Sequence, residues 1–245
     1  MANNHQAAAE HVQQQNQKRN RIWLLTFVSL FTSLLAFFVL IVSITELEGV
    51  GPTRSYQKIM SNLYNHTKLT SEQQGLQWLH IENTLTKGVR ITIDSNLFES
   101  APLFEPARSD INPRYFPYLN EIAGLLEVLH LDDYYNQYRR WIQNIEAVGR
   151  KVELTIIVEG HTDSHPMAPG ARFRDNIELS AFRAYEVMNY LQQRLEWSPA
   201  LFSIAGYGSM QPITTISTEP ENRRIEIYIS LQVVDPELAP PGDAL

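Results

Sequence analysis

The chain has 245 residues, no cysteine, 44% hydrophobic residues and a formal net charge of −7. That length allows one or two domains with a sizeable core, and the composition excludes a disordered acidic chain. The missing cysteine excludes disulfide frameworks, cysteine zinc sites and thiol nucleophiles, and the acidic balance speaks against bulk-charge binding of nucleic acid.

Residues 1–21 are polar and rich in Gln and Asn. They carry Lys18, Arg19 and Arg21 against Glu10, a balance of +2 that leaves −9 for the rest. Residues 22–44 follow without a charge. At ~1.5 Å per residue this run measures about 35 Å, enough to cross a bilayer. It is too long for the apolar region of a cleaved signal peptide, and Glu46 and Glu48 follow it where small residues would mark a cleavage site. The basic residues before it favour a cytoplasmic N-terminus. The expectation is a cytoplasmic tail (1–21), one transmembrane helix (22–44), and a remainder that faces outward, into the periplasm if the cell is Gram-negative.

Gly49, Gly51 and Pro52 should break the helix. Residues 45–87 then read as a linker, with Tyr56, Ile59, Met60, Leu63 and Tyr64 at helical spacing over 52–65. Ser71 could start another short helix carrying Leu76, Trp78, Leu79 and Ile81. A globular domain is expected over 88–233. Residues 89–94 alternate apolar and polar as a half-buried strand does. Asn112-Pro113 suits a helix start, and Phe116, Leu119, Ile122, Leu126 and Leu129 continue it. A second helical stretch over 132–148 opens with Asp132-Asp133 and places Tyr134, Tyr138, Trp141 and Ile145 on one face. Residues 152–158 (VELTIIV) read as a central strand. A polar loop runs from Gly160 to Asp175, and residues 176–195 form an amphipathic helix that stops before Pro199. A short strand at 202–205 precedes a Gly206-Tyr207-Gly208 turn. A last alternating strand covers 224–233, and the tail 234–245, with three prolines, should be flexible. The order β-α-(α)-β-α-β-β is that of an α+β domain, a mixed sheet with helices on one face.

Five elements occur in sequence: Gly160-His161-Thr162-Asp163; the phrase NIELSAFRA from Asn176 to Ala184, with Arg183; Gly206-Tyr207-Gly208; Pro212; and Asn222-Arg223-Arg224-Ile225-Glu226. Residues 88–233 thereby resemble the OmpA-like peptidoglycan-binding domain, and the 20-residue spacing from Asp163 to Arg183 resembles its MotB-type branch more than its porin branch. The resemblance implies a ligand, the diaminopimelate of the peptidoglycan stem peptide. Asp163 would take its ammonium and the planar fork of Arg183 its carboxylate. Thr162, Asn176 and Ser180 would hold the loop and its backbone donors, and Asn222-Arg223-Arg224 would pin the last strand.

The transmembrane phrase WLLTFVSLFTSLLAFFV, Trp23 to Val39, resembles the anchor of ion-driven stator B subunits of the MotB/PomB family, near W-L-V-T-F-A-D-L-x-T/S-x-L-L-A-F-F-V. That resemblance implies a homodimer, a MotA-like membrane partner and, at residues 52–65, a plug helix; a plain spacer is the alternative. Ser29 stands where the family keeps its ion-carrying Asp, and residues 22–44 contain no carboxylate. Ser29, Thr32 and Ser33 lie on one side of the helix, either as a small-residue packing face or as part of an ion path. Three readings stay open: a flagellar-type stator subunit that grips peptidoglycan, a wall-bound tether that conducts nothing, and a subunit of a Zorya-like phage-defence motor. No nucleophile–base constellation is present, so no enzyme and no cofactor are expected. His161-x-Asp163-x-His165 lacks a fourth ligand for a metal.

Overall fold

The computed structural model describes residues 2–84, 86–94, 97, 102–218 and 220–235, without the side chains of 2–20, 44–50 and 220. The expectations for the tail beyond residue 235 and for the side chains of residues 2–20 lie outside the described residues. The chain divides at Gly51/Pro52 into two compact units. Helix α1 is assigned over Ala2–Gln73 and contains Pro52, where the sequence suggests a break.

The first unit holds the apolar span Arg21–Ser43, whose mean hydropathy is 2.6 and whose side chains are all exposed. Exposure of so many large apolar groups suits lipid and not water. Trp23, Phe27 and Phe31 stack at successive turns, with ring centroids 5.7 and 6.4 Å apart.

The second unit begins at Pro52. Ile59, Met60 and Leu63 are buried in its core, so the apolar face of residues 52–65 is covered by the domain itself. Beyond α1 the chain turns at Gly75, which has φ +72, into a strand rather than the short helix that Leu76, Trp78, Leu79 and Ile81 suggest. β1 (Leu79–Thr84) pairs antiparallel with β2 (Gly88–Ile93). A run this short satisfies either period, and pairing with the neighbouring strand decides it. Gly88, with φ +103, lets the hairpin close against the last strand of the sheet, because a Cβ there would lie 2.3 Å from the Ile229 carbonyl oxygen.

Asn112 caps the next helical entry by accepting from Arg114 N–H at 3.2 Å. One 3-10 turn, Pro113–Tyr115, leads into α2 (Phe116–Val128). The expected helix over 132–148 is divided at Tyr138 into α3 (Tyr134–Gln137) and α4 (Arg139–Glu146). Tyr138, Ile142 and Ile145 still reach the core. Then follow β3 (Lys151–His161), α5 (Asn176–Leu195), β4 (Phe202–Gly208) and β5 (Ile225–Val234).

The sheet order is β1-β2-β5-β3-β4, with β3 and β4 parallel and the other pairs antiparallel. This is the expected α+β mixed sheet, with β1 added at its edge. One face is apolar: Val89, Ile91, Val152, Leu154, Ile156, Val158, Ile225, Ile227 and Ile229 are all buried there, and α4 and α5 pack on β3. The period of two then sends Glu159, His161, Glu226 and Tyr228 to the opposite face.

Candidate functional site

Three glycines bring the start of α5 down onto the ends of β3 and β4. A Cβ on Gly160 would lie 2.0 Å from the Ser180 carbonyl oxygen, and one on Gly206 would lie 2.5 Å from the Ala181 nitrogen. Gly208 sits at φ +53 against Ile177. The Gly206-Tyr207-Gly208 stretch is therefore not the expected turn. It continues β4, and its glycines serve close approach of a helix. Ser180 fastens this contact: its hydroxyl donates to Ile177 O at 2.8 Å and accepts from Gly208 N–H at 2.9 Å. Asp175 caps α5 by accepting from Glu178 N–H at 2.8 Å.

The loop after β3 is held against that helix start. Thr162 N–H donates to Gly208 O at 2.9 Å. Asn176 Nδ2 donates to His165 O at 2.8 Å and to Asp163 O at 3.3 Å. Asp163 is thereby set at the rim and buried. Its Oδ1 accepts from His165 N–H at 3.1 Å, and its Oδ2 lies 2.7 Å from Arg223 Nη1. Burial pushes the Asp163 carboxyl up, but hydrogen bonds from Arg223 and His165 outweigh it and hold the group below the usual carboxylate range. The Thr162 hydroxyl beside it is buried without a hydrogen-bond partner among the described residues.

Arg183 is only 3% exposed. Its Nε donates to Arg108 O at 2.9 Å and its Nη2 to Glu105 O at 3.1 Å, while its guanidinium carbon lies 5.0 Å from the Phe104 ring centroid. These contacts fix the plane of the fork and leave its Nη1 end unused by the two bonds. Burial lowers the Arg183 pKa to about 10; the Arg223 charge lowers it too, and Asp163 acts the other way. The three groups therefore lie within one another's field, although Arg183 is bonded to backbone and not to Asp163. Asp163, Arg183, Asn176, Ser180 and Thr162 all gather at this end of the domain.

Sequence reasoning left Arg223 outside the site. Its neighbour Asn222 is purely structural: it is buried and accepts from Ile213 N–H at 2.9 Å, while its amide donates to Thr214 Oγ1 and Ile216 O. Arg224 turns the other way, to Glu226 Oε1 at 2.6 Å. Alternation at the start of β5 is the signal that separates Arg223 from Arg224.

A second charged cluster occupies the helix-free face of the sheet. Lys87 holds both carboxylate oxygens of Glu159 at 2.7 and 2.8 Å, 4.9 Å from the ring centroids of Tyr207 and Tyr228. Glu226 takes Arg224 on Oε1 and the Tyr228 hydroxyl on Oε2, both at 2.6 Å. Arg90 bridges Glu82 to Glu226. His161 is 1% exposed, stacks on Tyr207 at 5.4 Å and has no hydrogen bond to either ring nitrogen among the described residues. Burial lowers its pKa to about 4. The ligating atoms of Glu159, His161 and Glu226 lie within 4.8 Å of one another. Both carboxylates are nonetheless engaged by cations of the chain, which makes this an internal ion network. His161 faces this cluster while His165 flanks Asp163, so the sequence triplet of His161, Asp163 and His165 is split between two surroundings.

On the apolar span, Ser29 and Ser33 share a shallow groove with Thr26, Leu25, Leu30, Leu34 and Phe37. Thr32 is turned back on its own helix, its hydroxyl donating to Val28 O and Ser29 O at 3.0 Å each.

Comparison with known proteins agrees with this fold. Residues 133–226 match the OmpA family. The chain is 30% identical over 155 residues to Motility protein B of Helicobacter pylori strain 26695, covering 62% of this chain and 49% of that protein; the chain thus matches about half the length of that relative. It is 25% identical to the uncharacterized protein YtxE of Bacillus subtilis, covering 87% of this chain and 90% of that one. A solved structure described as a putative MotB-like protein from Desulfovibrio vulgaris superposes with a TM-score of 0.52 at 21% identity, covering 73% of this chain and 99% of that one, and shows the same fold. The protein is therefore MotB-like, with an OmpA-like domain that includes residues 133–226.

Proposed function

We propose that this protein is a single-pass inner-membrane subunit of the stator type, which ties its membrane helix to peptidoglycan through the periplasmic domain. The observation that carries the reading is the gathering of Asp163, Arg183 and their supporting groups at one end of the sheet. An anion and a cation held apart by a rigid frame suit the ammonium and carboxylate of a diaminopimelate side chain. Likeness to Motility protein B supports a homodimer with a MotA-like membrane partner and a role in motility. No enzymatic step is assigned. Ser29 favours a second reading, a wall-bound tether without ion flow, because a hydroxyl does not titrate near neutral pH and residues 22–44 contain no carboxylate.

The full chain in detergent should be retained on purified sacculi. Asp163→Ala and Arg183→Ala should each abolish retention while circular dichroism stays native. Undiminished retention by both variants would remove the pocket assignment. Co-purification with a four-helix MotA-like partner separates the stator reading from the tether. Deleting residues 52–65 is a poor probe of conduction, because it strips Ile59 and Leu63 from the core.

A further inference from the structure

Asp163 already has a counter-ion within the chain. Arg223 Nη1 lies 2.7 Å from Asp163 Oδ2, and the Arg223 side chain is 40% exposed while that of Asp163 is 10% exposed. An incoming ammonium therefore competes with Arg223 for Asp163. Arg183 has no such freedom, because it is buried and bonded to two carbonyls of the chain. Displacing Arg223 leaves two guanidinium groups beside one carboxylate, and that carboxylate is now shared with the ligand.

We propose that Arg223 sets the specificity of the site: it is the exchangeable partner of Asp163, and it makes a carboxylate next to the ligand's ammonium obligatory. This rests on reading the site as a stem-peptide pocket. A ligand that brings only an ammonium breaks the Asp163–Arg223 pair and returns nothing to the freed guanidinium. A ligand that brings both charges replaces one ion pair with two, one to Asp163 and one to the arginines. Discrimination then comes from the cost of the wrong ligand as much as from attraction to the right one. The class selected is a side chain ending in a free amino acid group. Side chains ending in a bare amine, or in an amine beside a neutral amide, are rejected.

The test uses the full chain in detergent and two synthetic stem tetrapeptides that differ only at the third residue, diaminopimelate in one and lysine in the other. Calorimetry on the wild type should show a preference for the diaminopimelate peptide of about tenfold or more, the scale of one charged hydrogen bond. Arg223→Gln should raise the affinity for the lysine peptide and shrink that ratio to about threefold or less. Arg223→Lys, which keeps the charge, should retain most of the preference. A ratio unchanged in Arg223→Gln, or a lysine peptide bound more weakly by it, overturns the role of Arg223 while leaving the pocket intact. Failure of the wild type to bind either peptide overturns the pocket itself, and this inference with it.

Discussion

The two charged clusters of the second unit draw on the same strands and differ in what their charges hold. On the sheet face opposite α4 and α5, Lys87 pairs with Glu159, and Arg90, Arg224 and Tyr228 gather on Glu226, while His161, whose ring nitrogens have no hydrogen-bond partner among the described residues, is a neutral ring stacked on Tyr207. At the strand ends, Arg183 is bonded to backbone carbonyls, and Asp163 is held by His165 N–H and by Arg223, whose side chain is 40% exposed. In that network both buried carboxylates are matched by cations of the chain, and its value is structural. A cluster with an exposed, exchangeable member can trade partners with a ligand. Count, type and exposure of the charged residues do not separate the two; partner type does, because Arg183 is bonded to backbone while each cation of the other cluster meets a carboxylate.

The largest effect that would sharpen this contrast is expected at Glu226. Glu226→Gln leaves the Arg224 guanidinium, 8% exposed, beside a neutral amide, which should cost about 3 kcal/mol of stability. Denaturant unfolding measures the loss, and retention on sacculi should persist in the folded fraction. Loss of retention without loss of stability would break the distinction between the clusters.

His161 supplies the next effect. Its folded pKa is about 4, against an ordinary value of 6.5. The unfolded chain therefore takes up a proton first as pH falls. The contribution of neutral His161 is fully present above about pH 6.5 and is lost progressively down to about pH 4, reaching ~3 kcal/mol. Unfolding midpoints measured across this window should fall in the wild type, and His161→Phe should remove most of the slope. The carboxyls of Asp163 and Glu226 are held below their ordinary range, so their own losses come at lower pH.

The smallest effect tests the frame of the site. Asn176→Ala leaves the carbonyls of Asp163 and His165 without their amide donor, at about 1–2 kcal/mol. Retention on sacculi should drop by more than the change in melting temperature explains, because the loop loses its register against α5. Equal retention would show that Asn176 only stabilises the fold.

Much of this architecture was legible in the chain. Uniform apolarity over residues 22–44, continuous apolar character at 152–158 and helical periodicity over 176–195 each reflect one solvent environment along a single element. Asp163, Asn176, Ser180 and Arg183 were reached through the family resemblance that their motifs carry. Their bonds were not: that Arg183 grips Glu105 and Arg108, some 75 residues upstream, is a contact no local pattern contains. Strand β1 was hidden because a short run with Leu79 and Ile81 fits a helix as well as a strand until β2 lies beside it. The apolar face of residues 52–65 was plain, and what covers it was not.

Local chemistry thus determined the membrane-length helix, the order of strands and helices from β2 onward, and the residue types available for a charged site. Tertiary structure decided which charges neutralise one another, that Arg223 faces Asp163 while Arg224 faces Glu226, and that Gly160 and Gly206 exist to admit a helix. The division has a physical cause. Periodicity and propensity act over one or two turns of chain, whereas ion pairing and burial depend on distances through space that only the folded sheet sets.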